Sequence, residues 1–173
     1  MKTLLHICCG VCAAGVASTL KEEGHDVTGF FYNPNIYPLD EYQKRLEACR
    51  NIAKNLKFDL IEGDQDFKFF GIELEKFKSA PEGAERCELC YRLRLKKTFD
   101  VMKELGYDNF ATTLTISPYK KAEVVNIIGK SIGGNIFLAR DFKKNDGFKK
   151  TIELAKKYNL YRQNYCGCEW SQR

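Results

Sequence analysis

The sequence predicts an α/β domain with a mostly parallel sheet and helices on its faces, occupying residues 1–173 as a single unit. Short apolar runs rich in Val, Ile, Phe and Tyr alternate with segments of helical periodicity, the pattern of successive strand–helix units. No internal repeat, low-complexity tract or linker interrupts that alternation. A chain of 173 residues falls within the usual size of one domain and buries a substantial core without disulfide staples.

Residues 4–9 read as a strand, followed by a turn at residues 10–15, a helix to about Lys21 and a second strand at residues 26–32. The opening run is broken by His6 and is too short for a secretory or membrane-spanning segment, so it is read as a buried strand of a cytoplasmic protein. Residues 33–38, Asn-Pro-Asn-Ile-Tyr-Pro, must be a loop. Asp40 and Gln43 then suggest a capping box, and Tyr42, Leu46, Cys49, Ala53 and Leu56 repeat at helical spacing. Cys49 lies on that apolar stripe and is read as a small core residue.

Residues 58–62 read as a third strand, and residues 64–85 as a helix-and-loop excursion. A long helix opens on Cys87 and Cys90 and continues through Leu95, Phe99, Met102 and Leu105. The remaining order is a strand at 110–116, a helix at 121–132, a further strand at 135–139 and a last helix at 147–158. In such sheets ligands sit beyond the carboxyl ends of the strands, so residues 8–12, 33–37, 117–119 and 140–144 should gather at one rim.

Seven of the eight cysteines fall into three groups: Cys8, Cys9 and Cys12; Cys87 and Cys90; Cys166 and Cys168. Neighbours this close meet disulfide geometry poorly, whereas a soft metal accepts them. In the reducing cytoplasm the thiols stay available to it. One zinc ion takes four thiolates and a [4Fe–4S] cluster takes four, so seven suggest two adjacent centres. Residues 87 and 90 at a helix start place their sulfurs among free N–H groups and a partial positive charge. His6 is read as structural. The net charge of +5 permits nucleic-acid binding without establishing it.

Six ordered motifs resemble the epoxyqueuosine reductase QueH family nearly end to end. They are His6-x-Cys8-Cys9-x-x-Cys12; Tyr32-Asn33-Pro34-Asn35-Ile36 with Glu41-Tyr42; Cys87 with Cys90; Thr112-Thr113-Leu114 with Ser117-Pro118-Tyr119-Lys120; Asp141-Phe142-Lys143-Lys144; and Tyr161-Arg162-Gln163-x-Tyr165-Cys166-Gly167-Cys168. Gly10-Val11 stands where Ala-Pro is common in the family; both make a turn. The resemblance implies removal of the epoxide oxygen from epoxyqueuosine at the tRNA wobble position, by an iron–sulfur enzyme independent of cobalamin. It also implies a fold akin to the adenine-nucleotide hydrolase-like group. The Ser-Gly-Gly-x-Asp-Ser loop of ATP-using relatives is replaced by Cys9-Gly10-Val11-Cys12, which argues against ATP use.

Reducing an epoxide to an alkene takes two electrons and two protons, which suits an electron-transfer cluster beside a Lewis-acidic iron. Cys12, Cys87 and Cys90 are the preferred [4Fe–4S] ligands, with a fourth from Cys9 or the terminal pair; Cys8, Cys166 and Cys168 are assigned to a second, mononuclear iron. Tyr119, Asp141 and Tyr165 are candidate proton donors or relays. Asn33, Asn35, Tyr37, Ser117 and Gln163 are candidates for holding a splayed base. Arg140, Lys143 and Lys144, within a basic run reaching Lys149 and Lys150, suit anticodon stem-loop phosphates. An electron donor is also required. A zinc-stabilised tRNA-binding module and a thiol-based tRNA sulfur transferase are the alternatives; the first predicts a colourless zinc protein, the second a nucleotide-binding loop.

Overall fold

A computed structural model describes residues 1–171. Four strands, β1 (Lys2–Ile7), β2 (Asp26–Phe31), β3 (Asp59–Glu62) and β4 (Asn109–Thr112), form one parallel sheet in the order β3-β2-β1-β4. β1 is central, pairing Leu5 with Gly29 on one side and Ala111 on the other. Because side chains alternate along a strand, its residues serve two cores. Leu5 and Ile7 pack with Phe31, Ala111 and the helices α1 (Gly10–Glu22), α2 (Leu39–Leu56) and α6 (Gly147–Lys157). Leu4 packs with Phe30, Phe110 and the helices α4 (Glu85–Leu105) and α5 (Ala122–Gly133) on the opposite face. A short helix α3 (Phe67–Glu75) covers the β3 end of this second layer through Phe70 and Leu74. The expected α/β class, parallel sheet and flanking helices are all present.

Local details depart from expectation where hydrogen bonding competes with periodicity. The strand expected at 110–116 stops at Thr112, whose hydroxyl accepts a hydrogen bond from Leu114 N at 3.1 Å and turns the chain into a 3-10 segment, Thr113–Ile116. The strand expected at 135–139 contracts to one parallel bridge, Phe137 to Phe110, with Leu138 N donating to Phe110 O at 2.9 Å. A 3-10 turn, Gly134–Ile136, uses the residues before it. The capping box of α2 does not form: Pro38 is the N-cap, without a side-chain hydrogen bond, and Asp40 and Glu41 instead place their charges in the first turn.

The turn expected at residues 10–15 is helical instead: α1 begins at Gly10 itself. The reason is proximity to α2. A Cβ on Gly10 would lie 2.6 Å from the backbone carbon and oxygen of Ala48, atoms that cannot swing away. Gly10→Ala is therefore expected to destabilise the protein by about 1–3 kcal/mol through overpacking. Gly71→Ala, where the added carbon meets nothing within 4 Å, serves as the helix control, and urea denaturation of both variants checks the contrast.

Candidate metal centre and substrate cleft

β1 ends at Ile7, so Cys8 and Cys9 leave the strand. Cys9 becomes the N-cap of α1 and its Sγ accepts a hydrogen bond from Cys12 N at 3.4 Å. Adjacent residues in a strand point to opposite faces, but at this turn the Cys8 and Cys9 sulfurs come within 3.9 Å. The Sγ atoms of Cys8, Cys9 and Cys12 all lie within 4.8 Å of one another. The expectation that Cys8 and Cys9 point apart within a strand does not hold, because β1 ends at Ile7 before either residue.

Thr113 fixes the first of them, accepting from Cys8 N at 3.0 Å and donating to Cys8 Sγ at 3.2 Å. Hydrogen bonds from Cys12 and Cys9 hold the Cys8 thiol well below its ordinary range, Lys120 and Arg94 adding to the effect against the opposition of burial. The bond to Cys8 and then that to Cys9 push the Cys12 thiol up. Three thiolates at this spacing repel one another, and a multivalent soft cation allows all three to ionise. The donor set thus fits a thiophilic metal centre.

Cys87 and Cys90 occupy the first two turns of α4, three residues apart and on one face. Gly83 N donates to Cys87 Sγ at 3.1 Å, and Arg94, one turn further along the helix, approaches Cys90 Sγ at 3.7 Å. Cys166 and Cys168 lie close enough to both α4 thiols to act on them electrostatically. The three sequence-distant groups therefore meet around two cations: Arg94 senses Cys90, Cys8 and Cys166, while Lys120 senses Cys166, Cys8 and Cys12. Cys49 stays apart in its expected place, fully buried between α2 and α1, where burial pushes its thiol well up.

The terminal pair is held by a buried clamp. Arg45 donates to Glu41 at 2.7 Å, to Cys166 O at 2.8 Å and to Tyr165 O at 3.1 Å, with its guanidinium over the Tyr165 ring. Tyr161 donates its hydroxyl to the other Glu41 oxygen at 2.6 Å. Gly167 has a φ of +123° and its missing Cβ leaves room for Arg45, so the Cys-Gly-Cys turn requires glycine.

A cleft of about 230 Å³ opens beyond the carboxyl ends of the strands. Cys8, Cys12 and Cys166 line it, together with the expected residues Asn33, Asn35, Ser117, Tyr119, Gln163 and Tyr165. Asn33 is locked, donating to Ile7 O at 2.8 Å and accepting from Arg94 at 2.5 Å. Asn35 Oδ1 and Gln163 Oε1 are buried acceptors without a hydrogen-bond partner among the described residues. Tyr119 is 85% exposed at the lip, and Tyr165 donates its hydroxyl to the carbonyl of exposed Tyr37.

The basic run is not brought to the cleft. Arg140 pairs with Glu23 and lines a separate depression beside Met1 and His25, near the amino ends of the strands. Lys150 pairs with Glu22 at 2.7 Å. Lys143 Nζ donates to Thr115 O at 2.9 Å and Lys120 O at 3.4 Å, and pairs with Asp141 at 3.1 Å. Asp141 and Lys143 thus brace the loop that carries Lys120, while Lys144 is exposed. His6 is structural: buried, it accepts at Nδ1 from the Thr112 hydroxyl at 2.9 Å and donates from Nε2 to Tyr32 O at 3.2 Å. Burial and then Arg94 lower its pKa to about 3, which keeps it neutral.

Arg45, Arg94 and Lys120 are the site residues that sequence reasoning missed. Arg94 carried a signal, since it follows Cys90 by one helical turn on the same face.

Comparison with known proteins agrees with this geometry. A family model described as Epoxyqueuosine reductase QueH matches residues 3–173. The protein named Epoxyqueuosine reductase QueH from Streptococcus pyogenes serotype M1 is 34% identical over 98% of this chain and 70% of its own length. Its namesake from Thermotoga maritima is also 34% identical, over 97% of this chain and 88% of its own length. Among solved structures, the U34-tRNA thiolase NcsA from Methanococcus maripaludis with its [4Fe-4S] cluster shares the fold, with a TM-score of 0.55 at 14% identity over all of this chain and 62% of that one. Since the family match runs from β1 through the terminal cysteines, this chain belongs to the epoxyqueuosine reductase QueH family, a family of oxidoreductases.

Proposed function

We propose that this protein reduces epoxyqueuosine to queuosine at the wobble position of tRNA, without cobalamin, in the cytoplasm. The observation that carries the reading is a cleft lined by Cys8, Cys12 and Cys166 with buried Arg94 and half-buried Lys120, and with Cys87 and Cys90 lying within electrostatic reach, in a chain of the QueH family. Among the described residues no helix is long and apolar enough to cross a membrane.

Cys87 and Cys90, together with two thiolates of the Cys8–Cys9–Cys12 group, would hold a [4Fe–4S] cluster. The remaining thiolate of that group, with Cys166 and Cys168, would hold an adjacent iron; Cys8, Cys12 and Cys166 are the sulfurs that face the cleft. When bound, these centres supply single electrons and Lewis acidity. Arg94 and Lys120 offset the thiolate charge. Asn35 and Gln163 offer amide oxygens to N–H donors on a flipped base, and Asn33 forms a fixed wall. Tyr119 at the lip suits stacking on a neighbouring base. An external one-electron donor completes the cycle.

Iron, sulfide and zinc analysis of anaerobically prepared protein tests the cofactor part of this reading. Iron in excess of acid-labile sulfide is expected; equal amounts would remove the adjacent iron. Zinc alone, in active protein, would favour a zinc-stabilised RNA-binding module.

Among the described residues, the exposed cation lining the cleft is Arg162, whereas Arg140 is committed to Glu23. Arg162→Gln is expected to weaken stem-loop binding and reduce the salt slope of log Kd by about 1, the signature of one lost phosphate contact. Arg140→Gln should leave the slope unchanged. Anisotropy titrations at several salt concentrations separate the two.

A further inference from the structure

The reduction consumes two protons, yet the donors expected from the sequence are poorly disposed to supply the first. The Tyr119 side chain projects into solvent, Asp141 is tied to Lys143 and lies outside the cleft lining, and the Tyr165 hydroxyl donates to Tyr37 O. Lys120 is disposed differently. Its N–H donates to Ser117 O at 3.2 Å and its carbonyl accepts from Lys143, so its backbone is fixed on both sides. Its side chain lines the cleft beside Cys8, Cys12 and Cys166. Among the described residues, Glu82 is the acidic residue of the lining. A half-buried lysine lining the same cleft as three cysteines is suited to an oxyanion that forms there.

We infer that Lys120 is a catalytic residue: its ammonium hydrogen-bonds the epoxide oxygen, bears the charge that builds as the first C–O bond breaks, and hands that oxygen a proton. This rests on the reductase function proposed above. Two electrons, delivered one at a time by a low-potential one-electron donor protein, enter the two ring carbons as both C–O bonds break. The oxygen takes one proton from Lys120 and one from solvent and leaves as water, and the carbons become doubly bonded. The donor is oxidised by two electrons in total, and the Lys120 amine regains its proton through the open mouth of the cleft. A metal ion offers charge without a proton. Arg94 cannot substitute, because a guanidinium does not release its proton and two of its nitrogens face Asn33 and Cys90.

The test compares wild-type, Lys120→Met and Lys120→Arg holoenzymes, prepared anaerobically, in single turnovers on an epoxyqueuosine anticodon stem-loop. Each is also titrated with the epoxyqueuosine, queuosine and unmodified stem-loops, and assayed for iron and sulfide. Lys120→Met is expected to lower the rate about 10²–10³-fold, the usual consequence of losing one donor to a developing oxyanion. It should keep its iron and its affinity for the unmodified stem-loop, but lose any preference for the epoxide over the alkene. Lys120→Arg should retain that preference and recover little of the rate. A wild-type rate in Lys120→Met overturns the inference. So does loss of iron from that variant, which would make Lys120 a counter-charge to the thiolates. A wild-type holoenzyme inert toward the epoxide removes the underlying function as well, an outcome distinct from the other two.

Discussion

Cys87→Ala and Cys90→Ala are each expected to abolish turnover and deplete the cluster, whereas Cys49→Ala keeps both. The two α4 cysteines sit in the opening turns of a helix, where free N–H groups and the positive end of the macrodipole favour thiolates. Gly83 N and Arg94 already direct donors at their sulfurs. In the proposed ligand set, removing either thiolate would open one iron of a cluster that needs four ligands. Cys49 has the same side chain in a different environment: fully buried on the α2 stripe, it packs against α1 and contributes bulk. Visible absorption, iron content and turnover of the three variants check the contrast. Full cluster loss in Cys49→Ala would overturn its assignment to the core, and an intact cluster in Cys87→Ala would overturn the ligand assignment.

The second large effect concerns stability. Arg94 is buried, donates to Asn33 Oδ1 at 2.5 Å and approaches Cys90 Sγ at 3.7 Å, and its charge acts on Cys8 and Cys166. Arg94→Met keeps an unbranched apolar stem but strips the donor from a buried amide and the counter-charge from the Cys8 thiolate. Breaking a buried charged network from one side costs about 3–5 kcal/mol, and a loss of that order is expected for the metal-free protein in urea. Lys at this position restores the charge without the planar fork that spans Asn33 and Cys90, so it should recover only part of the loss. An unchanged urea midpoint in Arg94→Met would contradict the bridging role.

The sequence carried most of the sheet because β1 and β2 are short apolar runs and the long helices show clear 3.6-residue periodicity. It misread residues 113–116 and 135–139 because those segments are as apolar as strands. Their conformation is decided by the Thr112 hydroxyl and the Gly133-Gly134 pair, local effects that periodicity does not register. The three cysteine groups were legible from spacing alone as candidate ligands. Their mutual arrangement was not, because it depends on the chain leaving β1 at Ile7 and turning the Cys8 and Cys9 sulfurs together. The basic run misled for a related reason. A charge in sequence does not show whether a carboxylate elsewhere will pair with it, and Glu22 and Glu23 pair with Lys150 and Arg140. The two cations were hidden among ordinary helix and loop positions, and only the fold brings Arg94 and Lys120 near the same cysteines.

The central claim is tested most directly by incubating the anaerobically reconstituted, reduced holoenzyme with an anticodon stem-loop carrying epoxyqueuosine, in the absence of cobalamin and ATP, and identifying the nucleoside by mass spectrometry after digestion. Loss of one oxygen to give queuosine, dependent on the reductant and absent in Cys90→Ala, is the predicted result. Unchanged epoxyqueuosine in the presence of an intact, reducible cluster would contradict it.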